Sequence, residues 1–327
     1  MRAAVLNNTA DLSVRDLPDP VAGPGEVIVA VSLAGVCGSD HSLYNGKFGV
    51  PLPVVPGHEG IGIVKEAGSG VSNVNIGQRV VIQPNFACWD CELCRSGLDN
   101  ICPKKVRLGI DVNGVFAQYV KVPARYVWPV PEGLDDRTAV LTEPLAVAAH
   151  AVKVLPPGKG DRILIIGAGV IGLMTLLLAK LGGAEVTVSD LLTRHLDMAS
   201  DMGADNTLLV GGDKEPVPSA FDLIYETSGA PSGLADAIGM AAPGGRIALL
   251  GLPGSEHPVA TTPIVRKELS IVGSMIYTDE FPGVLEILQS GRIDPTSLIS
   301  EVIGLQDLDR AIKNFHAPDR FKVLVSL

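Results

Sequence analysis

The chain reads as an α/β protein of two parts, a strand-rich N-terminal half and a doubly wound parallel sheet. Three observations predict this. A length of 327 residues is long for one core. Through residue 145 the apolar runs are short and separated by turn residues, which suits an all-β half folded as a small barrel. From Glu143 onward, strand-like and helix-like segments alternate with short connections, the pattern of parallel strands with crossover helices. Hydrophobic residues make up 46 % but aromatics only 4 %, with 37 glycines and 24 prolines, so aliphatic side chains and turns dominate, as mixed α/β architecture requires.

The elements follow in order. Glu26–Leu33, Ile61–Ala67 and Arg79–Gln83 are β-rich runs bounded by glycine and proline, and Phe116–Val122 and Tyr126–Val130 follow a cysteine-rich loop. Pro144–Val154 is helical in pattern and Pro156-Pro157-Gly158 ends it. Strands are expected at Arg162–Ile166, Glu185–Ser189, Leu223–Tyr225, Arg246–Leu250 and Leu269–Val272, with helices at Ile171–Leu181, Thr193–Met202 and Leu234–Met240. A helix over Phe281–Gln289 and a closing strand at Lys322–Leu327 return to the first domain. The expected domains are therefore 1–147 together with 278–327, and 148–277.

Several functions are disfavoured. A formal net charge of −10 opposes nucleic-acid binding and attraction to anionic lipid. The uncharged run Ile163–Ala179 is too short and too glycine-rich at its start for a membrane span, and a buried strand entering a buried helix explains it. The N-terminus, Met1-Arg2-Ala3-Ala4-Val5-Leu6, shows no secretory h-region, so a cytoplasmic location is expected.

Four of the five cysteines, Cys88, Cys91, Cys94 and Cys102, are spaced C-x2-C-x2-C-x7-C. In a reducing compartment this favours one closed tetrahedral zinc over the alternatives, two disulfides or an iron–sulfur cluster. The fifth, Cys37, precedes His58 and Glu59. A thiolate, an imidazole and a carboxylate make a competent open zinc site, able to leave a position for substrate.

Ile163–Ile166 leads into Gly167-Ala168-Gly169-Val170-Ile171-Gly172. Following a strand and opening a helix, this motif places Gly167 in the tight turn, Gly169 where a pyrophosphate approaches, and Gly172 where helix meets strand. Asp190 ends the next strand, where a carboxylate binds the ribose hydroxyls and repels a 2′-phosphate, so NAD is favoured over NADP; Arg194, four residues on, pulls the other way.

The whole chain resembles the zinc-dependent medium-chain dehydrogenase/reductase family, the alcohol dehydrogenase superfamily. The matching segments, in order, are GVCGSD at 35–40, GHEG at 57–60, the four-cysteine loop, EPLA at 143–146, GAGVIG at 167–172, Thr227–Pro231 and Val272–Tyr277. The resemblance implies a GroES-like β-barrel, a Rossmann domain and a substrate cleft between them. It further implies a polyol- or threonine-dehydrogenase-like branch, two zinc ions per chain, and a dimer or tetramer paired through Leu269–Val272. Catalytic zinc would be held by Cys37, His58 and Glu59, with Glu143 bound directly or through water; which carboxylate is the direct ligand stays open. Cofactor contacts are expected at Gly167, Gly169, Val170, Ile171, Gly172, Asp190 and Arg194, and later at Thr227, Leu250 and Ser274.

The implied reaction moves a hydride from a secondary alcohol (a polyol, diol or hydroxy amino acid) to nicotinamide, while Ser39 passes the hydroxyl proton outward. Relatives often carry a histidine five residues after the metal cysteine. Here Ser42 stands there, and His41, one residue earlier, is the candidate relay. Tyr44 and Phe48 are candidate pocket residues. The competing readings are an NADP-linked aldehyde or ketone reductase and a catalytically silent NAD- and zinc-binding regulator.

Overall fold

The structure, a computed structural model, describes residues 1–212 and 218–327. The chain forms two compact units, Met1–Glu143 with Phe281–Leu327, and Pro144–Glu280. The crossings thus fall four residues before and three residues after the boundaries expected from sequence.

In the first unit, β1 (Arg2–Asn8) and β2 (Asp11–Asp16) form an antiparallel hairpin. Strands β3 (Glu26–Gly35), β4 (Glu59–Ala67) and β5 (Arg79–Ile82) pair antiparallel in succession. The short pair β6 (Asn85–Phe86) and β7 (Val106–Arg107) closes the base of the cysteine loop. Strand β8 (Tyr119–Pro123) adds to β3, and β9 (Val127–Pro129) to β5. β-Branched side chains suit these pleated, half-buried surfaces, and Val27, Val29, Val64, Val80, Ile82 and Val120 fill one core. Two sequence expectations need correction. The half is not all β, because a helix at Gly38–Tyr44 follows β3. Residues Ala124–Tyr126 form a 3-10 turn, so the strand expected from Tyr126 begins at Val127.

The second unit is a parallel six-stranded sheet of β10 (Arg162–Ile166), β11 (Glu185–Asp190), β12 (Asn206–Leu209), β13 (Phe221–Glu226), β14 (Ala241–Leu249) and β15 (Ser270–Gly273). Their order is β12-β11-β10-β13-β14-β15, so chain direction across the sheet reverses between β10 and β13, the crevice where doubly wound folds bind ligands. The uncharged run divides into β10 and the helix Val170–Leu181, and Ile163, Leu164 and Ile165 are fully buried. No helix among the described residues is long and apolar enough to cross a membrane. Strand β15, near the expected Leu269–Val272, lies at the sheet's edge.

Returning, β16 (Ile299–Gly304) pairs parallel with β17 (Lys322–Ser326), and β17 pairs antiparallel with β3. Gly35 faces Leu324 on one side and Glu59 on the other. This register carries the last residues of the chain to the end of β3.

Candidate active site

The first cluster is built where β3 ends and β4 begins. Cys37 caps the helix Gly38–Tyr44, and Asp40, three residues on, accepts the Cys37 N–H at 2.9 Å. The other Asp40 oxygen accepts the Gly57 N–H at 3.2 Å and lies 3.5 Å from His58 Nδ1. Gly57 sits at φ +92°, where a Cβ would strike the Phe116 ring at 2.7 Å, so only glycine brings His58 to this place. Cys37 Sγ, a His58 ring nitrogen and a Glu59 carboxylate oxygen all lie within 4.8 Å of one another. Ser39 Oγ stands 3.3 Å from His58 Nε2.

The electrostatics favour a cation. Burial alone would lower the His58 pKa, yet Asp40 and Cys37 hold it well above its ordinary value. The site's sulfur, imidazole and carboxylate donors, brought together with the buried Asp40 beside them, suit zinc. Glu59 is fully buried, and its two oxygens accept from Lys322 Nζ at 2.7 and 2.8 Å. Burial opposes the Lys322 charge, but Glu59, Cys37 and Glu143 raise its pKa above the ordinary lysine value. Glu143 is buried in the first turn of the helix Thr142–Val154, outside the mutually close group of Cys37, His58 and Glu59.

His41 joins an aromatic cluster. Its ring stacks on Phe315 with centroids 6.0 Å apart and meets His316 edge-on at 4.7 Å. Asn45 Nδ2 donates to His41 O at 2.8 Å and lies 3.1 Å from His41 Nε2. Burial, His316 and Lys47 lower the His41 pKa. Tyr44 does not line a pocket. It is 3 % exposed, and its hydroxyl bonds Ala10 O and Asp309 Oδ1, both at 2.9 Å. Phe48 is half-buried against the core, with the Arg107 guanidinium 5.3 Å from its ring centre.

The four-cysteine loop forms a second cluster. Cys91 and Cys94 sulfurs are 3.4 Å apart, Cys88 and Cys102 3.5 Å, and two further pairs 3.9 Å. All are free thiols, and these separations approach the edge of a zinc tetrathiolate tetrahedron, about 3.8 Å. Burial, with Cys91 and Cys102, pushes the Cys94 thiol up to about 12, while the Asp90 and Cys91 backbone draws Cys88 down to about 6. Trp89 Nε1 donates to Tyr126 Oη at 2.7 Å and pins the loop.

In the second unit, every expected nucleotide residue outside the helix lies at a carboxyl end of the sheet or just beyond it. Gly167 sits at φ +97°, and a Cβ on Gly172 would fall 1.9 Å from Gly167 O. A Cβ on Gly169 would meet nothing within 4 Å, so open space faces the helix that Val170 and Ile171 begin. Asp190 accepts from the Ala168 N–H at 2.7 Å and the Leu192 N–H at 2.9 Å, and lies 3.4 Å from His195 Nδ1. Burial raises its pKa, but His195 and the two amides outweigh this and hold the carboxyl below its ordinary value. Arg194 is exposed. Thr227 Oγ1 donates to Ile166 O at 2.9 Å, Leu250 follows β14, and the buried Ser274 Oγ has no hydrogen-bond partner. That orphaned hydroxyl and the space at Gly169 fit a dinucleotide.

Sequence reasoning missed Asp40 and Lys322. The first stands in the GVCGSD segment, but its bond to the Cys37 N–H follows only from the Gly38–Tyr44 helix. The second had only the faint signal of a lysine opening an apolar strand.

A cluster of cysteine, histidine and glutamate donors in one unit and a dinucleotide fold in the other define the class, a metal- and nucleotide-dependent oxidoreductase. Residues 23–132 match the alcohol dehydrogenase GroES-like domain and residues 170–290 the zinc-binding dehydrogenase domain. The chain is 33 % identical to a sorbitol dehydrogenase of Bacillus subtilis, covering 96 % of this chain and 93 % of that one. It is 36 % identical to an L-threonine 3-dehydrogenase of Bacillus velezensis, covering 95 % and 94 %. An Escherichia coli CFT073 alcohol dehydrogenase (rspB) complexed with NADH superposes with a TM-score of 0.94 at 32 % identity, covering 100 % and 99 %. A Sinorhizobium meliloti zinc-binding dehydrogenase bound to NADP gives 0.95 at 33 % identity, with the same coverage. The chain belongs to the zinc-dependent medium-chain alcohol dehydrogenase family, and its activity class is that of the zinc-containing alcohol dehydrogenases.

Proposed function

We propose that this protein oxidises a secondary alcohol of the polyol, diol or hydroxy amino acid group with NAD, using one catalytic and one structural zinc per chain. The observation that carries the reading is the convergence of Cys37, His58 and Glu59 on one point, with Asp40 orienting the first two. Zinc, when bound, lowers the cost of removing the substrate's hydroxyl proton. Cys37 and His58 hold the ion, and Glu59 or Glu143 completes its set. Ser39 Oγ, beside His58 Nε2, takes the proton outward. His41 receives it next only by giving up its contact with Asn45 Nδ2. Gly167, Gly169 and Gly172 seat the pyrophosphate, and Asp190, held ionised, takes the ribose hydroxyls.

Sorbitol and threonine dehydrogenases among the relatives support the substrate group. The NADP-bound relative and the exposed Arg194 favour a second reading, an NADP-linked reductase. The exposed ends of edge strand β15 suit a homo-oligomer joined through that strand, in the cytoplasm. The test is reduction of NAD and, in parallel, NADP over a panel of polyols, diols, simple alcohols and threonine, with a chelated control. Chelator-sensitive NAD reduction with one substrate group supports the reading. Preference for NADP favours the second, and bound zinc and nucleotide without turnover favours a silent regulator.

A further inference from the structure

The end of β13 carries a carboxylate that neither metal cluster nor the proposed reaction uses. Side chains alternate along a strand, so Glu226 shares the face of Ile224, which packs with Ala237, Ile238 and Met240 of the helix Gly233–Met240. Its neighbour Thr227 turns the other way, and the Thr227 hydroxyl donates to Ile166 O and Gly167 O in the glycine turn. Glu226 is 3 % exposed, and bare glycines make room for it. A Cβ on Gly233 would fall 2.6 Å from its Oε1, and one on Gly251 would fall 2.4 Å from its Oε2. The two oxygens differ in their bonding. Oε1 accepts the Ser228 N–H at 2.9 Å, the Gly229 N–H at 3.2 Å and the Ser228 hydroxyl. Oε2 has no hydrogen-bond partner among the described residues, and the side chain lines a cavity of about 460 Å³. That volume is in the range of small-molecule sites. Leu234, Ala235, Leu249, Pro253 and Val259 give the cavity apolar walls. Besides Glu226, its ionisable lining residues are Glu256 and His257, and His257 Nε2 lies 3.1 Å from Ser255 Oγ. A buried carboxylate with an idle oxygen in a largely apolar cavity lacks the cation that burial normally requires.

We propose that this cavity binds a small organic cation, a primary ammonium on an apolar body, with the ammonium on Glu226 Oε2. An anion is repelled by Glu226 and Glu256, and a neutral apolar molecule leaves Oε2 unpaired. The ammonium supplies the missing charge and donors, and its apolar body covers the walls. The site is additional to the reaction proposed above and stands on the opposite face of β13 from the glycine turn. The probe is n-hexylammonium, titrated by calorimetry into the full-length protein. The wild type is expected to bind it with a Kd of about 1 mM or tighter. Glu226→Gln keeps the shape and removes the charge, so affinity falls about ten-fold or more. Ala235→Leu, at an exposed position of the helix Gly233–Met240, fills the cavity without touching the carboxylate and lowers affinity to a similar extent. Saturating NAD leaves the affinity unchanged. Absence of saturable binding to the wild type overturns the proposal, as does unchanged affinity in either folded variant. Displacement of the probe by NAD also overturns it, because the cavity would then be part of the cofactor seat. If Glu226→Gln does not fold, Ala235→Leu decides alone.

Discussion

The two metal clusters of this chain are assembled in opposite ways. The four sulfurs of the cysteine lobe come from fifteen consecutive residues between β6 and β7, and one short loop brings them together. The Cys37 cluster draws on the end of β3, the start of β4 and the start of β17, and its Glu59–Lys322 contact spans 263 residues of sequence. A local cluster is specified by spacing alone. A dispersed cluster exists only after the sheet has formed, and its donors inherit their geometry from the register. Loss of a donor should therefore damage different properties in the two places.

The largest effect is expected at the dispersed cluster. Cys37→Ala removes a metal donor from a scaffold already held by the strands, so turnover should fall by about a thousand-fold or more. Thermal stability, NAD binding and the zinc content of the lobe should stay close to wild type. Calorimetry and metal analysis on the same preparation check this, and a near-normal rate sinks the assignment. Cys94→Ser reverses the pattern. The lobe has little core of its own, and metal binding there contributes directly to folding. The variant should lose one zinc and several degrees of melting temperature, with the remaining catalytic zinc still bound. Zinc loading must displace the Cys94 proton, held up to about 12 in the free protein, so affinity at the lobe should rise with pH through neutrality.

Asp40 gives an intermediate effect. It accepts the Cys37 N–H and lies 3.5 Å from His58 Nδ1. Asp40→Asn keeps the shape and removes the charge that supports the imidazole, so metal affinity should fall by about 10–100-fold. Equilibrium competition with a chelator measures this. An unchanged affinity would show that the backbone alone orients His58.

The same contrast explains what was legible in the sequence. The cysteine spacing, the glycine turn after β10 and Asp190 at the end of β11 are local signals, and the structure places each where local reasoning put it. Strands β10 to β15 were readable as alternation, except β12, a four-residue strand in which only Leu208 and Leu209 are apolar. The Gly38–Tyr44 helix was missed because GSDHSLY has no helical period, and its stability comes from the Asp40 bond to its capping residue. Tyr44 looked like a pocket residue only because it follows Cys37. The helix turns it inward, to Asp309, which is 265 positions away. Lys322 was illegible for the same reason, since its partner is set by β17 docking on β3 and by nothing near it in the chain.

The smallest effect tests how independent the lobe is. Trp89 donates to Tyr126 Oη, and Arg125 lies 4.7 Å from the centre of its indole ring. Trp89→Phe keeps a ring for Arg125 and loses the hydrogen bond. Tyr126 Oη still accepts the Ala87 N–H at 2.7 Å, so no buried hydroxyl is orphaned and the cost should be about 1 kcal/mol. If the lobe is a separate local unit, that cost appears as zinc release from the four cysteines a few-fold faster, with metal release at Cys37 and turnover unchanged. Slower turnover in this variant would mean that the local and the dispersed cluster are mechanically coupled through the sheet, and the contrast between them would fail.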